Sequence, residues 1–565
     1  MKKLKEKFSY MSSENIIKFL LLSSAFLFLV VFLILPLTKL ILKAFQDENG
    51  IFIGLSQFEK YFNNSSLMSS IEHTFFIAII STLISVILAF TFSYILTRKN
   101  IPFKHLFRYI TMLPLFSPTM LLGICLIYLF GNKGILTSLG FSIPLYGPVG
   151  IIIAETIYCF PVATTILTVA FSSADNRLYE AAEVLGASSL KKMLTITILS
   201  IKYGLISAIF VCFTYSFTDF GAPITVGGNY NVLAVDIYTQ VLGLQNFSMG
   251  AVTSIIMLFP AVIAFILDRL INKKQNSIIT SRSTSYIIKK HPKSDLASFM
   301  FCVIISILIL AFFSIALLAS LIKIWPYDMS FTLEHYNFSK LAISSCSQAF
   351  RNSILISLIS AALGTVICFL TAYSVEKINK FKIFRKIIYF LSITPLAIPG
   401  TVIGLSFIMF FNSKIIPIAN TNLAFLNPFY SLYGTIWIIV FVNLIHFFSI
   451  PFTTATTALK KLDKEFEVVS ESMGVPFYKT LIKVTLPLCA PAILEMLVFF
   501  FVNSMSTIAA VIFLYTPKIP LASIAIVNLQ DYGFTAPAAA ISIIILLINL
   551  VVRLIHDKFS IKSLI

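Results

Sequence analysis

Charge is scarce in this chain of 565 residues. Only 12% are Asp, Glu, Lys or Arg, about half the share of roughly 25% found in soluble domains. With 58% hydrophobic residues and a mean hydropathy of +0.93, this excludes a soluble globular protein and indicates a polytopic membrane protein. No Gly-x-x-x-x-Gly-Lys occurs, nor any Gly-Lys dipeptide, so the chain cannot cradle ATP phosphates in the P-loop manner. The cysteines number seven and form no Cys-x-x-Cys. Cys125, Cys159, Cys212, Cys302, Cys368 and Cys489 lie in or beside apolar runs, and Cys346 lies near one. Neither a disulfide nor a metal site is expected. No nucleophile–base constellation stands out, so no catalysis is expected on this chain.

The charges that are present report orientation. Lys and Arg total 42 against 24 Asp and Glu, a net +18. The cations sit in short loops between apolar runs, the positive-inside pattern, so a nucleic-acid partner is not expected. The first apolar run, Ile16 to Leu42, follows Lys2, Lys3, Lys5 and Lys7. It is longer than a signal h-region and no small-residue cleavage pattern follows, so it reads as an uncleaved span with a cytoplasmic N-terminus. Further spans are expected near 73–97, 107–130, 148–172, 193–216 and 249–271, then near 297–323, 351–375, 386–411, 432–457, 481–511 and 536–556. The loop with Arg98, Lys99, Lys104 and Arg108 is internal, as is the one with Lys377, Lys380, Lys382, Arg385 and Lys386. Tyr203 to Asp268 holds no Lys or Arg, so the loop within it is external. The C-terminal tail, with Arg553, Lys558 and Lys562, is internal.

Two polar islands repeat at a fixed offset. Leu178–Ser189 reads Leu-Tyr-Glu-Ala-Ala-Glu-Val-Leu-Gly-Ala-Ser-Ser, and Phe466–Phe477 is a degraded copy. Asp175, Glu183 and Gly186 match Asp463, Glu471 and Gly474, each 288 residues later. Pro114, Pro118 and Gly123 match Pro395, Pro399 and Gly404 at offset 281, and Tyr146-Gly147 matches Tyr433-Gly434 at 287. The expected organisation is a first half at 1–271, a basic cytoplasmic linker at 272–296 and a second half at 297–565. The fold class is all-α, with about 12 transmembrane helices as two parallel six-helix repeats. Three residues ahead of each island the aspartate suits a helix N-cap. Leu178, Ala181, Ala182 and Leu185, then Phe466, Val469 and Met473, recur at helical spacing. Glu180, Glu183, Glu467 and Glu471 fall off that stripe. Gly186 and Gly474 suit a left-handed helix end, and Pro476 suits the first turn of a following helix.

These residues resemble the EAA loop of permease subunits of ABC importers: Glu-Ala-Ala, three variable residues, Gly, then an apolar helix ending in Leu-Pro. The first copy keeps Glu180-Ala181-Ala182 and Gly186 but has Leu199 where proline stands in the family. The second keeps Gly474 and Leu486-Pro487 but has Val468-Val469-Ser470 in place of Glu-Ala-Ala. The resemblance covers essentially the whole chain. It implies a type I importer permease fold and a place in the cell membrane with both termini cytoplasmic. It further implies two copies of a cytoplasmic ATPase seated on the loops, and an extracytoplasmic solute-binding protein. ATP and Mg would be held by the ATPase, with no cofactor on this chain.

Pathway candidates lie elsewhere. The prolines Pro114, Pro118, Pro395 and Pro399 are expected to kink the third span of each half, around a pathway or merely at a helix end. Glu155 and Glu495 lie inside spans, where an ionisable group is a site hypothesis by default. Glu155 could meet a cation in transit, and Glu495 could pair with a loop lysine. Asp219 could gate the external mouth or cap a re-entrant turn, and His446 reads as a satisfied interior histidine. The stretch from Asp219-Phe220-Gly221 onward resembles fused permeases of the ferric-iron group, especially the branch assigned to 2-aminoethylphosphonate import. That resemblance makes 2-aminoethylphosphonate the favoured substrate and ferric iron the alternative. A secondary transporter also fits six plus six spans, but gives no reason for the duplicated loop. A membrane-embedded enzyme would need a cluster of intramembrane polar groups.

Overall fold

The computed structural model describes residues 13–48, 50–275, 286, 288, 290–337, 346–378, 381–417, 424–463 and 465–562. Apolar runs of this length must satisfy every backbone group internally, and the helix does so. The spans are α1 (Ile16–Ala44), α2 (Ser65–Arg98), α3 (Thr119–Phe130), α4 (Pro148–Ser172), α6 (Ser189–Thr218), α9 (Phe247–Gln275), α10 (Pro292–Leu321), α11 (Cys346–Lys377), α12 (Gly400–Phe411), α13 (Ile436–His446), α14 (Ser449–Lys461), α16 (Ala490–Ser506) and α17 (Thr535–Lys562). Short helices between them are α5 (Asn176–Val184), α7 (Gly221–Val226), α8 (Leu233–Tyr238) and α15 (Glu465–Ser472). Nine helices are long and apolar enough to cross a membrane among the described residues, and up to twelve if each of three bent pairs is one span: Lys382–Ala397 with α12, α13 with α14, and Phe477–Leu488 with α16.

The third span of each half is broken rather than kinked. Helix Lys104–Met112 runs into a 3-10 turn, Leu113–Phe116, and α3 starts only after Pro118. The physical cause is the residue before proline: Ser117 is pushed to φ −102°, ψ 150°, which ends the helix. The second half repeats this with Thr394–Ala397, an extended Ile398 and a 113° bend before α12. Freed backbone groups find partners there. Ser449 Oγ accepts from Leu396 N at 3.0 Å and donates to the Ser392 carbonyl at 3.0 Å.

Packing groups the chain into two compact units that do not follow its two halves. One is Phe45–Ala342 with Ile526–Leu546; the other is Met1–Ala44, Ile343–Ala525 and Leu547–Ile565. In the second unit α1 lies on the later half through the ring pairs Phe19–Phe381, Phe26–Phe384 and Phe32–Phe441. In the first unit α10 lies on the earlier half, with Phe299 against Phe107 at 5.8 Å. The first span of each half therefore belongs by contact to the other half's unit. The core of the first unit is α2, α4 and α6, with Phe92, Cys159, Ala163, Phe171 and Cys212 buried. Small residues let the backbones approach: Ser93 Oγ donates to the Thr164 carbonyl at 3.0 Å, and a Cβ on Gly204 would lie 2.4 Å from Ala170 Cβ. Outside the helices, a hairpin pairs β1 (Ile322–Ile324) with β2 (Asp328–Phe331).

Candidate functional site

The first loop folds as its sequence dictates. Asp175 Oδ1 accepts from Arg177 N at 3.1 Å, capping α5. Ala182, near the end of α5, accepts from Ala187 N at 2.9 Å across Gly186, whose φ is +68°. That six-to-one bond is the Schellman ending, which favours glycine. Ser188 then caps the start of α6 by accepting from Lys191 N at 3.3 Å. The second loop repeats the aspartate cap and the glycine ending but not the side-chain cap of the following helix. Asp463 Oδ1 accepts from Glu465 N at 3.1 Å, the Ser470 carbonyl from Val475 N at 2.9 Å, and Gly474 has φ +68°. Pro476 sits at the N-cap of helix Phe477–Thr480, one residue ahead of the expected first turn. Each loop leads into a π-helical turn, Met193–Thr197 and Leu481–Thr485, a local widening common at functional sites.

The apolar positions of these short helices face solvent. Leu178 is exposed and Leu185 is 84% exposed, with Ala181 exposed and Ala182 half-buried. Phe466 and Val469 are exposed, and Met473 is 73% exposed. The helical stripe does not include Val184, which is 89% exposed. Glu180 accepts from Asn176 Nδ2 at 2.6 Å, and Glu183 is exposed. The side chain of Glu471 lies outside the described residues.

A cation at the end of the second span holds each loop, a role that the positive-inside pattern alone does not reveal. Arg98 donates from Nη2 to the Phe171 carbonyl at 2.8 Å, with its guanidinium over the ring of Tyr179 on α5. Lys377 pairs with Glu467 on α15 at 2.8 Å. Tyr179 and Glu467 are equivalent in the repeat, 288 residues apart. Tyr179 also donates to Thr197 Oγ1 at 3.1 Å, tying α5 to α6.

The pathway candidates separate. Asp219 Oδ2 accepts from Ala222 N at 2.8 Å, so it caps α7; of the two expected roles, the cap is the one the contacts show. Gly221 permits the docking that follows, because a Cβ there would sit 2.1 Å from Thr119 Oγ1 at the start of α3. Gly123 and Gly404 serve the same end: a Cβ would lie 2.4 Å from Thr225 Cγ2 and 2.5 Å from the Ala510 carbonyl. Glu155, fully buried in α4, has Asp219 as its charged neighbour, and among the described residues its oxygens meet no donor other than the Asp219 carboxyl. Pro114 and Pro118, with Pro395 and Pro399, mark the helix breaks. Glu495 pairs not with a loop lysine but with Arg553 at 2.8 Å and His556 at 3.2 Å, both on α17. His446 is not satisfied as expected: its Nδ1 is buried without a partner among the described residues.

Comparison with known proteins fits this geometry. The profile described as "Binding-protein-dependent transport system inner membrane component" matches twice, at residues 81–277 and 364–562. The ferric transport system permease protein FbpB of Actinobacillus pleuropneumoniae is 25% identical over 553 residues, 95% of this chain and 77% of that protein. A candidate ferric transport system permease of Haemophilus influenzae is 26% identical over 516 residues, 88% of this chain and 78% of that one. A candidate 2-aminoethylphosphonate transport system permease of Salmonella paratyphi A, PhnV, is 25% identical over 269 residues, 46% of this chain and 93% of its own. With two matched domains in tandem, the chain belongs to the inner-membrane components of binding-protein-dependent transport systems and is a fused permease of an ABC importer.

Proposed function

We propose that this permease supplies both halves of a solute pathway, and that α5 and α15 with their terminating glycines seat two copies of a cytoplasmic ATPase. One observation carries the reading. Two loops at equivalent places share an aspartate cap and a +68° glycine, and both present large apolar side chains to solvent. Exposed apolar side chains clustered on a short helix mark a docking surface. On this reading the loop side is cytoplasmic, as are both termini, and Asp175, Leu178, Glu180, Ala181, Ala182, Glu183, Gly186, Asp463, Phe466, Val469, Glu471 and Gly474 form the seats. An external binding protein delivers the solute on the opposite side. ATP and Mg belong to the ATPase.

Ferric iron is the substrate we favour, because the ferric permeases are similar along 95% and 88% of this chain. 2-Aminoethylphosphonate remains as a second reading, supported by a relative similar over 46% of it and by the Asp219-Phe220-Gly221 stretch. Glu155 and Asp219 suit a cationic group in transit in either case. The test is uptake by cells carrying the permease with its ATPase and binding protein, offered labelled ferric iron and labelled 2-aminoethylphosphonate in parallel. ATP-dependent accumulation of iron alone is expected. Accumulation of the phosphonate would reverse the substrate order, and accumulation of either without the ATPase would sink the coupling reading.

A further inference from the structure

Arg98 is 5% exposed, and no carboxylate pairs with it among the described residues. A buried guanidinium without a counter-ion is costly and must be compensated in another way. One compensation is the Phe171 carbonyl, 2.8 Å from Nη2, in the last turn of α4 where the helix presents its negative end. The remainder is aromatic. The guanidinium lies 5.2 Å from the centre of Tyr179 and 4.0 Å from the centre of Tyr286, and the two rings meet edge to face at 5.2 Å. Tyr179 belongs to α5. Tyr286 belongs to the segment joining the two halves, six residues before α10 begins. The nearer and better-placed ring is therefore the one from the linker.

We propose that Tyr286 is a positioning residue for the first coupling loop. Its ring covers Arg98, and Arg98 in turn fixes Tyr179 and so the angle at which α5 meets an ATPase. The linker is then part of the coupling apparatus rather than only a tether. The second loop has a counterpart arrangement: Lys18, near the start of α1, lies over the ring of Phe477 at 5.4 Å. In each unit the chain near the start of a first span touches the coupling loop of the half it packs with.

This inference rests on the coupling reading above, and its test separates the two. The complete importer is reconstituted in lipid nanodiscs with its ATPase and binding protein, and solute moved per ATP hydrolysed is measured. Cation–π attraction needs the ring and not the hydroxyl, so Tyr286→Phe should keep the wild-type ratio. Tyr286→Leu, which keeps apolar bulk but loses the π face, should lower the ratio about fivefold. The binding-protein concentration at half-maximal uptake should not change. In parallel, hydrogen exchange of the 176–187 amides is read on the full-chain permease without its partners. Exchange should rise in Tyr286→Leu and stay at the wild-type level in Tyr286→Phe. Equal exchange in all three proteins would overturn the proposal. A wild-type transport ratio in Tyr286→Leu, alongside a Gly186→Val control that is uncoupled, would overturn it as well. If Gly186→Val stays coupled, the loop reading has failed, while the exchange result still decides what Tyr286 holds.

Discussion

The two halves present the same loop backbone and hold it by different chemistry. Both glycines sit at φ +68°, both aspartates cap, and both loops lead into a π turn. The first loop is held by a guanidinium between aromatic rings and the second by the Lys377–Glu467 ion pair, with Lys377 8% exposed on its side chain. The difference teaches that what the repeat preserves is position. A cation at the end of the second span must meet the residue after the loop aspartate by four, and either a π face or a carboxylate meets that need. It also accounts for the degenerate second copy. Val468-Val469-Ser470 replaces Glu-Ala-Ala without changing the terminator, because the terminator depends on Gly474 and the Ser470 carbonyl rather than on those side chains.

Breaking the glycine should have the largest effect. Among the described residues nothing lies within 4 Å of a Cβ at Gly186 or Gly474, so a substitution strains only the local backbone, by roughly 1–2 kcal/mol. Gly186→Val is expected to leave the protein folded and lower uptake about tenfold. Gly474→Val carries equal strain, and an equal loss would show that the two seats are equivalent despite their sequences.

Two buried glycines at helix starts give a second contrast. Gly221→Ala drives a Cβ to 2.1 Å from Thr119 Oγ1, whereas at Gly400 the nearest atom, Ala509 Cβ, is at 3.1 Å. Gly221→Ala should cost about 1–3 kcal/mol and lower the melting temperature in detergent, and Gly400→Ala should lower it less. A third contrast is pH-dependent. Asp236 on α8 is buried, which pushes its carboxyl up to about 6. The folded protein thus holds this proton between about pH 4 and 6 while the unfolded chain has lost it, so stability should fall as pH rises through that window. The loss is about 1–2 kcal/mol after allowing for partial solvent contact, and Asp236→Asn should flatten the pH profile of the melting temperature. The smallest effect is expected at the ion pair. Lys377→Met should cost about 1 kcal/mol, and the exchanged pair Lys377→Glu with Glu467→Lys should recover much of it. If the exchange restores nothing, the pair does not hold the second loop.

Much of this was legible in the sequence. The twelve segments, the 288-residue repeat, the aspartate caps and the glycine ends all follow from periodicity and local backbone preference, which neighbours in sequence determine. Which helix lies on which does not. The transfer of α1 and α10 between units depends on ring contacts such as Phe19–Phe381 and Phe107–Phe299, between residues far apart in the chain. For the same reason Arg98 and Lys377 read as topology markers, since their partners Tyr179, Tyr286 and Glu467 are visible only once the helices are packed. The prolines were expected to kink and instead break the third spans, because two of them four residues apart leave no room for the helix to recover between them. Glu495 found Arg553 on the last helix and not a loop lysine, again a contact that no local pattern encodes.

The most direct measurement is site-specific cross-linking in intact membranes that carry the ATPase. The seven cysteines are all buried, so a bifunctional thiol reagent would report on introduced ones. Val184→Cys and Met473→Cys, at the open faces of the two loops, should each capture the ATPase. Tyr327→Cys, between the strands of the β1–β2 hairpin at the other end of α10, should not. Capture at Tyr327→Cys with none at either loop would contradict the account.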